Sequence, residues 1–224
     1  MADLEITRED VLAELESGSR VLLLVRHAER PHIDTDDPSF GDLLPITENG
    51  RRMSEEFGAS FRAYAGEAQF ASSPLRRTIM TAEHIAKGMG VEKPRIQAEA
   101  FLGNSIPYFA DQREVFELFR DGNFFKYIFE YMATGRQRGF ADIGASTDAV
   151  EAWCMERFTG RLGIFATHDL YIALFLFARG VVAKFTKANW TRFLDAAAII
   201  ENRRGERRYA FLRANLSDRI TGVD

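Results

Sequence analysis

Arginine, histidine and aspartate residues fall into three short clusters whose chemistry suits the binding and attack of a phosphate group. The clusters are Arg26-His27, Arg76-Arg77 and His168-Asp169. Guanidinium groups are planar, permanently charged donors that match phosphate oxygens, a neutral imidazole can attack phosphorus, and a carboxyl group can transfer a proton. One such cluster would be a weak signal, since most histidines are hydrogen-bonded surface or core groups. Three together indicate a site for phosphoryl chemistry.

Each cluster comes at or just after the end of a predicted strand. Residues 21–25 and 162–166 are continuous apolar runs, the pattern of strands buried on both faces, and residues 68–72 form a shorter strand. Residues 96–102 predict a further strand, and residues 196–202 and 208–214 predict a terminal β-hairpin. Helices are predicted after Thr7, after Thr47, from Ser73-Pro74 to Gly88 or Gly90, over 147–158 and over 171–179.

This alternation of strands and helices predicts an α/β fold, a three-layer α/β/α sandwich with a mainly parallel central sheet. The hairpin would add an antiparallel edge to that sheet. Ligands of such folds bind beyond the carboxyl ends of the strands, so the three clusters should meet at one edge of the sheet.

The length of 224 residues favours a single domain over 1–224. Residues from about 103 to 145 contain no comparable strand. They contain many aromatic residues in two predicted helices, around 111–120 and 123–133, which we interpret as a helical cap. At helical spacing most of these aromatic side chains should belong to the core.

The charge balance excludes a generally cationic surface. Charged residues make up 28% of the chain and the net charge is −4, so we expect neither nucleic acid nor a membrane as partner. The single cysteine, Cys154, excludes an internal disulfide and is compatible with a reduced compartment. The N-terminus is acidic and the apolar runs are short, so we expect neither export nor membrane insertion, and a cytoplasmic protein.

The remaining polar residues favour simpler interpretations. The four histidines show no paired metal-ligand spacing, and we predict no metal and no cofactor. His84 should lie on a helix surface and His32 in a loop. Glu29 should be an exposed loop acid and Arg76 should point to solvent. Residues 203–208 should form a solvated hairpin tip.

Four motifs resemble those of the histidine phosphatase superfamily, which contains the phosphoglycerate mutase-like enzymes and the histidine acid phosphatases. Residues 24–30 resemble its Arg-His-Gly signature, with Ala28 in place of glycine. Residues 44–50 are similar to its Leu-Thr-x-x-Gly helix start, and residues 163–168 to the strand that delivers its second histidine. Residues 72–78 are similar to its Ser-Ser-Pro-Leu-x-Arg motif, which makes Arg77 a phosphate ligand. The resemblance spans most of the chain except the cap, and it implies the phosphoglycerate mutase-like fold.

The sequence mixes marks of the two branches of that superfamily. Length and the Thr47–Gly50 motif resemble the mutase-like branch, whereas Arg30 and His168-Asp169 resemble the acid phosphatase branch, in which the aspartate donates the proton. The mutase-like branch takes its acid from a glutamate after the third strand. Here residues 101–104 have no carboxylate, although Glu99 lies near. Asp169 is the better candidate, with Glu99 or an acid in the cap as alternatives.

The resemblance implies a metal-independent phosphomonoesterase that works through a phosphohistidine on His27. Its implied phosphate ligands are Arg26, Arg30, Arg77 and His168, and Asp169 is the implied general acid. The substrate would be a small-molecule phosphate ester or another phospho-substrate. Two alternatives stay open, a phosphoglycerate mutase-like phosphotransferase and a non-catalytic module that binds a phosphorylated ligand. The sequence does not predict the oligomeric state.

Overall fold

A seven-stranded sheet forms the middle layer of the part of the chain that is described. The structure, a computed structural model, describes residues 4–33, 41–103 and 106–214. The strands are β1 (Glu5–Ile6), β2 (Arg20–Arg26), β3 (Ala68–Ser72), β4 (Ile96–Ala98), β5 (Leu162–Thr167), β6 (Ala196–Glu201) and β7 (Arg207–Leu212). Their order is β1-β7-β6-β2-β5-β3-β4, and β6 runs antiparallel to both of its neighbours while the other pairings are parallel.

Helices cover both faces of this sheet. They are α1 (Arg8–Ser17), α2 (Glu48–Ala59), α3 (Arg76–Met89), α4 (Gln112–Phe119), α5 (Phe124–Thr134), α6 (Ile143–Arg157) and α7 (Asp169–Ala178). The predicted helix starts at Thr7 and Thr47 are confirmed, because each side chain accepts a hydrogen bond from the N–H three residues on. Gly18 ends α1 with a φ of 92° and Gly90 ends α3 with a φ of 89°, a backbone region that favours glycine.

The apolar residues of β2 alternate between two hydrophobic cores. Leu22 and Leu24 face one core, which α5, α6 and α7 complete, and Val21, Leu23 and Val25 face the other, which α1, α2 and α3 complete. Both faces of β2 are therefore buried, as its continuous apolar run predicts. The predicted three-layer α/β/α sandwich with a mainly parallel sheet is confirmed.

Three predicted element boundaries near the site are wrong, and one of them is the start of α7, which lies at Asp169 rather than at Tyr171. Helix α3 begins at Arg76, not at Ser73-Pro74, because Ser73 still donates its N–H to the carbonyl of Ala166 as an extension of the sheet. The predicted strand 96–102 is a strand only over Ile96–Ala98 and then forms a 3-10 turn, Ala100–Leu102. This strand lies at the edge of the sheet, and β3, its only partner among the described residues, ends opposite it at Ser72.

The terminal hairpin is present as β6 and β7, but it does not form the edge of the sheet. Strand β6 pairs with the central β2, and the short strand β1 pairs with β7 on its outer side. The sequence does not predict β1, because a strand of two residues is too short to show a strand pattern.

The described residues of the cap region contain the two predicted helices, α4 and α5, and an antiparallel bridge between Phe109 and Phe140. Its aromatic residues pack against the core on the α7 side of the sheet, with Tyr108 and Tyr131 fully buried. Helix α6 begins four residues earlier than predicted, because Asp142 caps it. That 1–224 is a single domain with a cap at 103–145 stays a prediction.

Candidate active site

The carboxyl ends of β2, β5 and β3 lie side by side, and the three predicted clusters meet there. The backbone N–H of His27 donates to the carbonyl of Thr167 at 3.0 Å, and that of Ser73 donates to the carbonyl of Ala166 at 3.0 Å. Sheet-type hydrogen bonding therefore continues one residue past β2 and β3. It holds the residue that follows each strand at the same edge.

The imidazole of His27 is buried, with 4% of the residue exposed, and one of its nitrogens has a defined partner. Its Nδ1 lies 2.8 Å from the carbonyl oxygen of Ala28. Because a carbonyl can only accept, Nδ1 carries the proton and the lone pair of the neutral ring is on Nε2. The ring packs beside those of His168 and Phe193, at centroid distances of 5.6 and 5.7 Å.

The pKa of His27 lies well below its usual value. Burial is the largest cause, because it disfavours the charged imidazolium, and the cationic surroundings supplied by Arg26, His168 and Arg77 act in the same direction. The hydrogen bond to Ala28 raises the pKa without outweighing them. His27 is therefore neutral near pH 7, the form in which Nε2 can attack an electrophile.

Arg26, at the end of β2, is 5% exposed and is held on several sides. Its Nη1 donates to the carbonyl of Thr191 at 2.7 Å, its Nη2 lies 3.3 Å from the Asp169 carboxylate, and its guanidinium lies 4.5 Å from the ring centroid of Phe193. The buried Nε has no hydrogen-bond partner among the described residues. A buried donor of this kind marks a place where an acceptor would be favourable.

Asp169 is the first residue of α7 and faces Arg26. One carboxylate oxygen accepts from the indole N–H of Trp190 at 3.3 Å, and the other accepts from the N–H of Leu170 at 2.7 Å. Burial raises the pKa of Asp169, but the Arg26 charge and these hydrogen bonds outweigh it and lower the pKa. Without a ligand, Asp169 is therefore a carboxylate near pH 7.

Arg77 lies in the first turn of α3 and is 6% exposed. Its Nη1 donates to the carbonyl of Gly41 at 2.8 Å, and its buried Nε has no partner among the described residues. Burial and the neighbouring charge of Arg30 lower its pKa to about 10, against the opposing effects of Asp42 and Asp169. Arg77 is still a cation near pH 7.

His168 precedes α7 and is 8% exposed. Its Nε2 lies 3.2 Å from the hydroxyl of Ser73, which lies 2.6 Å from that of Thr78. Burial, followed by the charge of Arg77, lowers the pKa of His168, and the Asp169 carboxylate only partly offsets this. A bound anion would reverse the effect of the cations and favour the charged ring.

Arg30 lies beyond the end of β2 and is half-buried. Its Nη1 donates to the carbonyl of Pro31 at 2.8 Å. Its charge contributes to the lowered pKa values of Arg77 and His168, so Arg30 is near enough to both residues to add to the positive potential at this edge of the sheet. That Arg30 binds phosphate directly stays a prediction.

Glu29 is not the exposed loop acid that the sequence analysis predicts. Its carboxylate accepts from the hydroxyl of Thr47 at 2.6 Å and from the amide of Asn49 at 2.9 Å, and its carbonyl accepts from the N–H of Thr47 at 2.8 Å. The loop after His27 is thereby fastened to the first turn of α2.

The other polar residues singled out in the sequence lie outside this edge of the sheet. Arg76 and His32 are exposed, and the hairpin tip 203–208 is exposed, as predicted. His84 is a half-buried helix residue that hydrogen-bonds to the carboxylate of Glu55 at 2.8 Å.

Three residues that the sequence analysis missed, Trp190, Thr191 and Phe193, line the back of the site. Trp190 is 1% exposed, and its ring packs edge-to-face against rings of α5, including that of Phe125 at 5.2 Å. They follow α7 in a segment without strand or helix, where no motif marks them. Ser73, whose hydroxyl lies near His168, is also not among the predicted site residues. Its place in the Ser-Ser-Pro motif could have indicated it.

Within the described residues, no group of three or more histidine, cysteine, aspartate or glutamate side chains could hold a metal ion. No helix in the same part of the chain is long and apolar enough to cross a membrane.

The family comparison agrees with this geometry. The model of the histidine phosphatase superfamily (branch 1) matches residues 22–101, which include His27, the Thr47 helix start and Arg77. The resemblance to the histidine phosphatase superfamily is confirmed. His168 and Asp169 lie outside the matched residues. A sequence search of curated proteins finds no match.

Solved structures of phosphatases and of a mutase have a similar fold. A mycobacterial glucosyl-3-phosphoglycerate phosphatase is 16% identical, with a TM-score of 0.53 over 89% of this chain and 100% of that one. A phosphoserine phosphatase mutant from Entamoeba histolytica, in complex with phosphoserine, is 15% identical, with a TM-score of 0.55 over 85% and 95%. A phosphoglycerate mutase from Bacillus anthracis is 15% identical, with a TM-score of 0.51 over 88% and 94%. At these identities the likeness shows the fold alone, and it is shared by phosphatases and a mutase.

Proposed function

We propose that this protein is a metal-independent phosphomonoesterase that hydrolyses phosphate esters through a phosphohistidine on His27. The observation that carries the proposal is the state of the His27 ring. The ring is neutral, and its Nδ1 proton is donated to the carbonyl of Ala28, which leaves the lone pair on Nε2. The ring lies at the same edge of the sheet as Arg26, Arg77 and His168, all of them buried. These are the groups that an attack on a phosphate dianion requires.

In the first step, the Nε2 lone pair of His27 attacks phosphorus and the bond to the ester oxygen breaks. Arg26, Arg30 and Arg77 bind the non-bridging oxygens and offset the charge of the transition state, and His168 donates a further hydrogen bond. Asp169 gives a proton to the leaving alcohol. In the second step, water attacks the phosphohistidine, its proton passes to Asp169, and inorganic phosphate leaves with His27 restored.

The acid role of Asp169 requires its protonation state to change when substrate binds. In the ligand-free protein, Arg26 and the hydrogen bonds from Trp190 and Leu170 hold the pKa of Asp169 low. A bound phosphate dianion would share the positive charge of Arg26 and repel the carboxylate, and both effects raise the pKa. Glu99 is the alternative acid. Its N–H donates to the carbonyl of Ser72 at 2.7 Å, so its backbone lies at the same edge of the sheet.

The two alternative functions, a mutase and a binding module, can be distinguished from this proposal. A mutase returns an isomer of the phosphorylated substrate, whereas a phosphatase releases inorganic phosphate. A module that only binds phosphate would need no neutral nucleophile, and the state of His27 favours an enzyme. A small-molecule phosphate ester is the simplest substrate, and the cytoplasmic location stays a prediction from the single cysteine.

The test is turnover of p-nitrophenyl phosphate and of a panel of metabolite phosphates, with phosphate release measured in the presence and absence of a chelator. We expect release that the chelator leaves unchanged, and an acid-labile, base-stable phosphoenzyme after rapid quenching. His27→Ala should abolish both while the circular dichroism spectrum stays that of the wild type. Substantial activity in this variant would show that the nucleophile is assigned incorrectly.

A further inference from the structure

Thr81 has a fully buried hydroxyl that lies between the backbone of Arg77 and the backbone of Ala28. It is on α3, four residues after Arg77, and none of its surface is exposed. Its Oγ1 lies 2.7 Å from the carbonyl oxygen of Arg77 and 2.9 Å from the backbone nitrogen of Ala28. The first contact is with the residue that carries a phosphate-binding guanidinium, and the second is with the residue that follows His27.

The direction of each hydrogen bond follows from the groups involved. A hydroxyl has one proton, and the Arg77 carbonyl can only accept, so the hydroxyl donates to that carbonyl. The oxygen of Thr81 then accepts from the Ala28 N–H. Ala28 in turn accepts from Nδ1 of His27 at 2.8 Å. Three hydrogen bonds in series therefore connect the backbone of Arg77 to the imidazole of His27.

We propose that Thr81 is a positioning residue for His27. By holding the Ala28 N–H, it keeps the Ala28 carbonyl where it accepts from Nδ1, and this selects the tautomer whose Nε2 has the lone pair. The inference rests on the proposed role of His27 as nucleophile. Thr81 itself touches neither phosphate nor the reacting atoms.

Ala28 is held by side-chain packing and by backbone hydrogen bonds. Its side chain is a single methyl group buried in the core that α1, α2 and α3 complete, and Glu29 after it is hydrogen-bonded to the first turn of α2. Among the described residues, Thr81 is the residue of α3 whose side chain hydrogen-bonds to Ala28. The same hydroxyl donates to the carbonyl of Arg77 in the first turn of α3, so it links that turn to the residue after the nucleophile.

The decisive variants are Thr81→Val, which replaces the hydroxyl with a methyl group of similar size, and Thr81→Ser, which keeps it. Thr147 offers a matched control in the opposite helix layer. It is also fully buried, donates to the carbonyl of Ile143 at 2.8 Å, and lies 3.2 Å from the hydroxyl of Tyr108. Thr147→Val removes an equivalent hydroxyl at a distance from the nucleophile.

We expect Thr81→Val to lower kcat by about 10- to 100-fold, because a misplaced nucleophile loses its alignment with phosphorus. KM should change little, because the phosphate-binding side chains stay. Thr81→Ser and Thr147→Val should keep the wild-type kcat. A wild-type kcat in Thr81→Val, or an equal loss in Thr81→Ser, would overturn the proposal.

A second measurement reads the tautomer without turnover. Nitrogen-15 NMR of the free wild-type protein should show His27 protonated on Nδ1, and Thr81→Val should shift population towards protonation on Nε2. Protonation on Nε2 in the wild type would overturn the proposal even if Thr81→Val fails to fold. Activity retained by His27→Ala would instead refute the proposed function and leave the tautomer result standing.

Discussion

The protonation state of His27 is decided by a few neighbouring atoms. The Ala28 carbonyl places the proton on Nδ1, and burial with the nearby cations keeps the ring neutral. Neither effect is a property of histidine itself, whose unperturbed pKa is about 6.5. The Arg26 charge lowers the pKa of Asp169 as well, and together with the hydrogen bonds from Trp190 and Leu170 it outweighs burial, so the carboxyl group stays ionised.

The first prediction concerns the titration of His27. Because the pKa of His27 lies well below 6.5, the ring should stay neutral as the pH falls through that value. NMR titration of the free protein, with His27→Gln used to assign the resonance, should show no protonation of His27 near pH 6.5. A midpoint at or above that pH would contradict the burial and charge argument.

The second prediction concerns the general acid. Asp169→Asn should slow the hydrolysis of alkyl phosphates by roughly 100-fold or more, since general acid catalysis contributes about that much. It should slow p-nitrophenyl phosphate far less, because nitrophenolate leaves without a proton. Steady-state kinetics on both substrates checks this.

Glu99→Gln is the matched variant for the acid test. If Asp169 is the acid, Glu99→Gln should slow both substrates equally or not at all. A leaving-group-dependent loss in Glu99→Gln, with equal losses in Asp169→Asn, would transfer the acid role to Glu99.

At the scale of whole elements, the close approach of α2 and α3 positions Arg77. Gly58 of α2 lies against the carbonyl of Ile85, and Gly88 of α3 lies against the carbonyl of Glu55. A side chain at either glycine would overlap a backbone oxygen of the facing helix. The two glycines therefore set how near α3 lies to α2.

The third prediction follows from this contact. Gly58→Ala and Gly88→Ala should each lower the free energy of unfolding by about 1–3 kcal/mol or more, because the helices must separate to admit the methyl group. Activity should also fall, since α3 carries Arg77. Urea denaturation and kinetics on the same samples measure both effects.

Gly66→Ala is the control for these variants. An added methyl group at Gly66 would meet no heavy atom within 4 Å, and its φ lies outside the left-handed region. This change should stay within about 0.5 kcal/mol of the wild type. A similarly small effect at Gly58 or Gly88 would show that the helix contact is loose.

For the whole molecule, the important electrostatic feature is the local concentration of cations. The net charge is −4, yet Arg26, Arg30 and Arg77 lie at one edge of the sheet. Arg26 and Arg77 are almost fully buried, and each keeps a buried Nε without a partner among the described residues. An oxyanion that binds there would satisfy these donors and should stabilise the native state.

The fourth prediction is that phosphate or vanadate raises the melting temperature. A ligand at 100 times its Kd adds about 2.7 kcal/mol of stability if it binds only the folded protein. Thermal unfolding with increasing oxyanion, against chloride of equal ionic strength, measures the shift. Arg77→Met should remove most of it, and an equal shift in that variant would argue against binding at this edge.

The fifth prediction concerns stability and pH. The lowered pKa of His27 means that below 6.5 the unfolded chain binds a proton at this site that the native state does not. Stability is therefore lost as the pH falls from 6.5 towards the folded pKa, by up to about 1.4 kcal/mol per pH unit. The wild type should have a steeper slope over this range than His27→Gln in urea denaturation, and equal slopes would contradict the lowered pKa.

The sequence by itself determined the fold class and most of the candidate site. Continuous apolar runs at 21–25 and 162–166 can be buried only between two helix layers, and the polar residues that follow them must then lie at one edge of the sheet. Short local motifs were sufficient to select His27, Arg77 and His168. They also predicted the caps at Thr7 and Thr47, because a cap depends on neighbours within a few residues.

The tertiary structure alone decided the contacts between residues far apart in the chain. Three contacts of the site join residues that are distant in the sequence. They are the ion pair between Asp169 and Arg26, the hydrogen bond from Trp190 to Asp169, and the hydrogen bond between Ala28 and Thr81. Strand β1 also depends on tertiary structure, because its two residues form a strand only by pairing with β7. Protonation states and positions depend on burial and on neighbouring charges, and these arise only when the chain has folded.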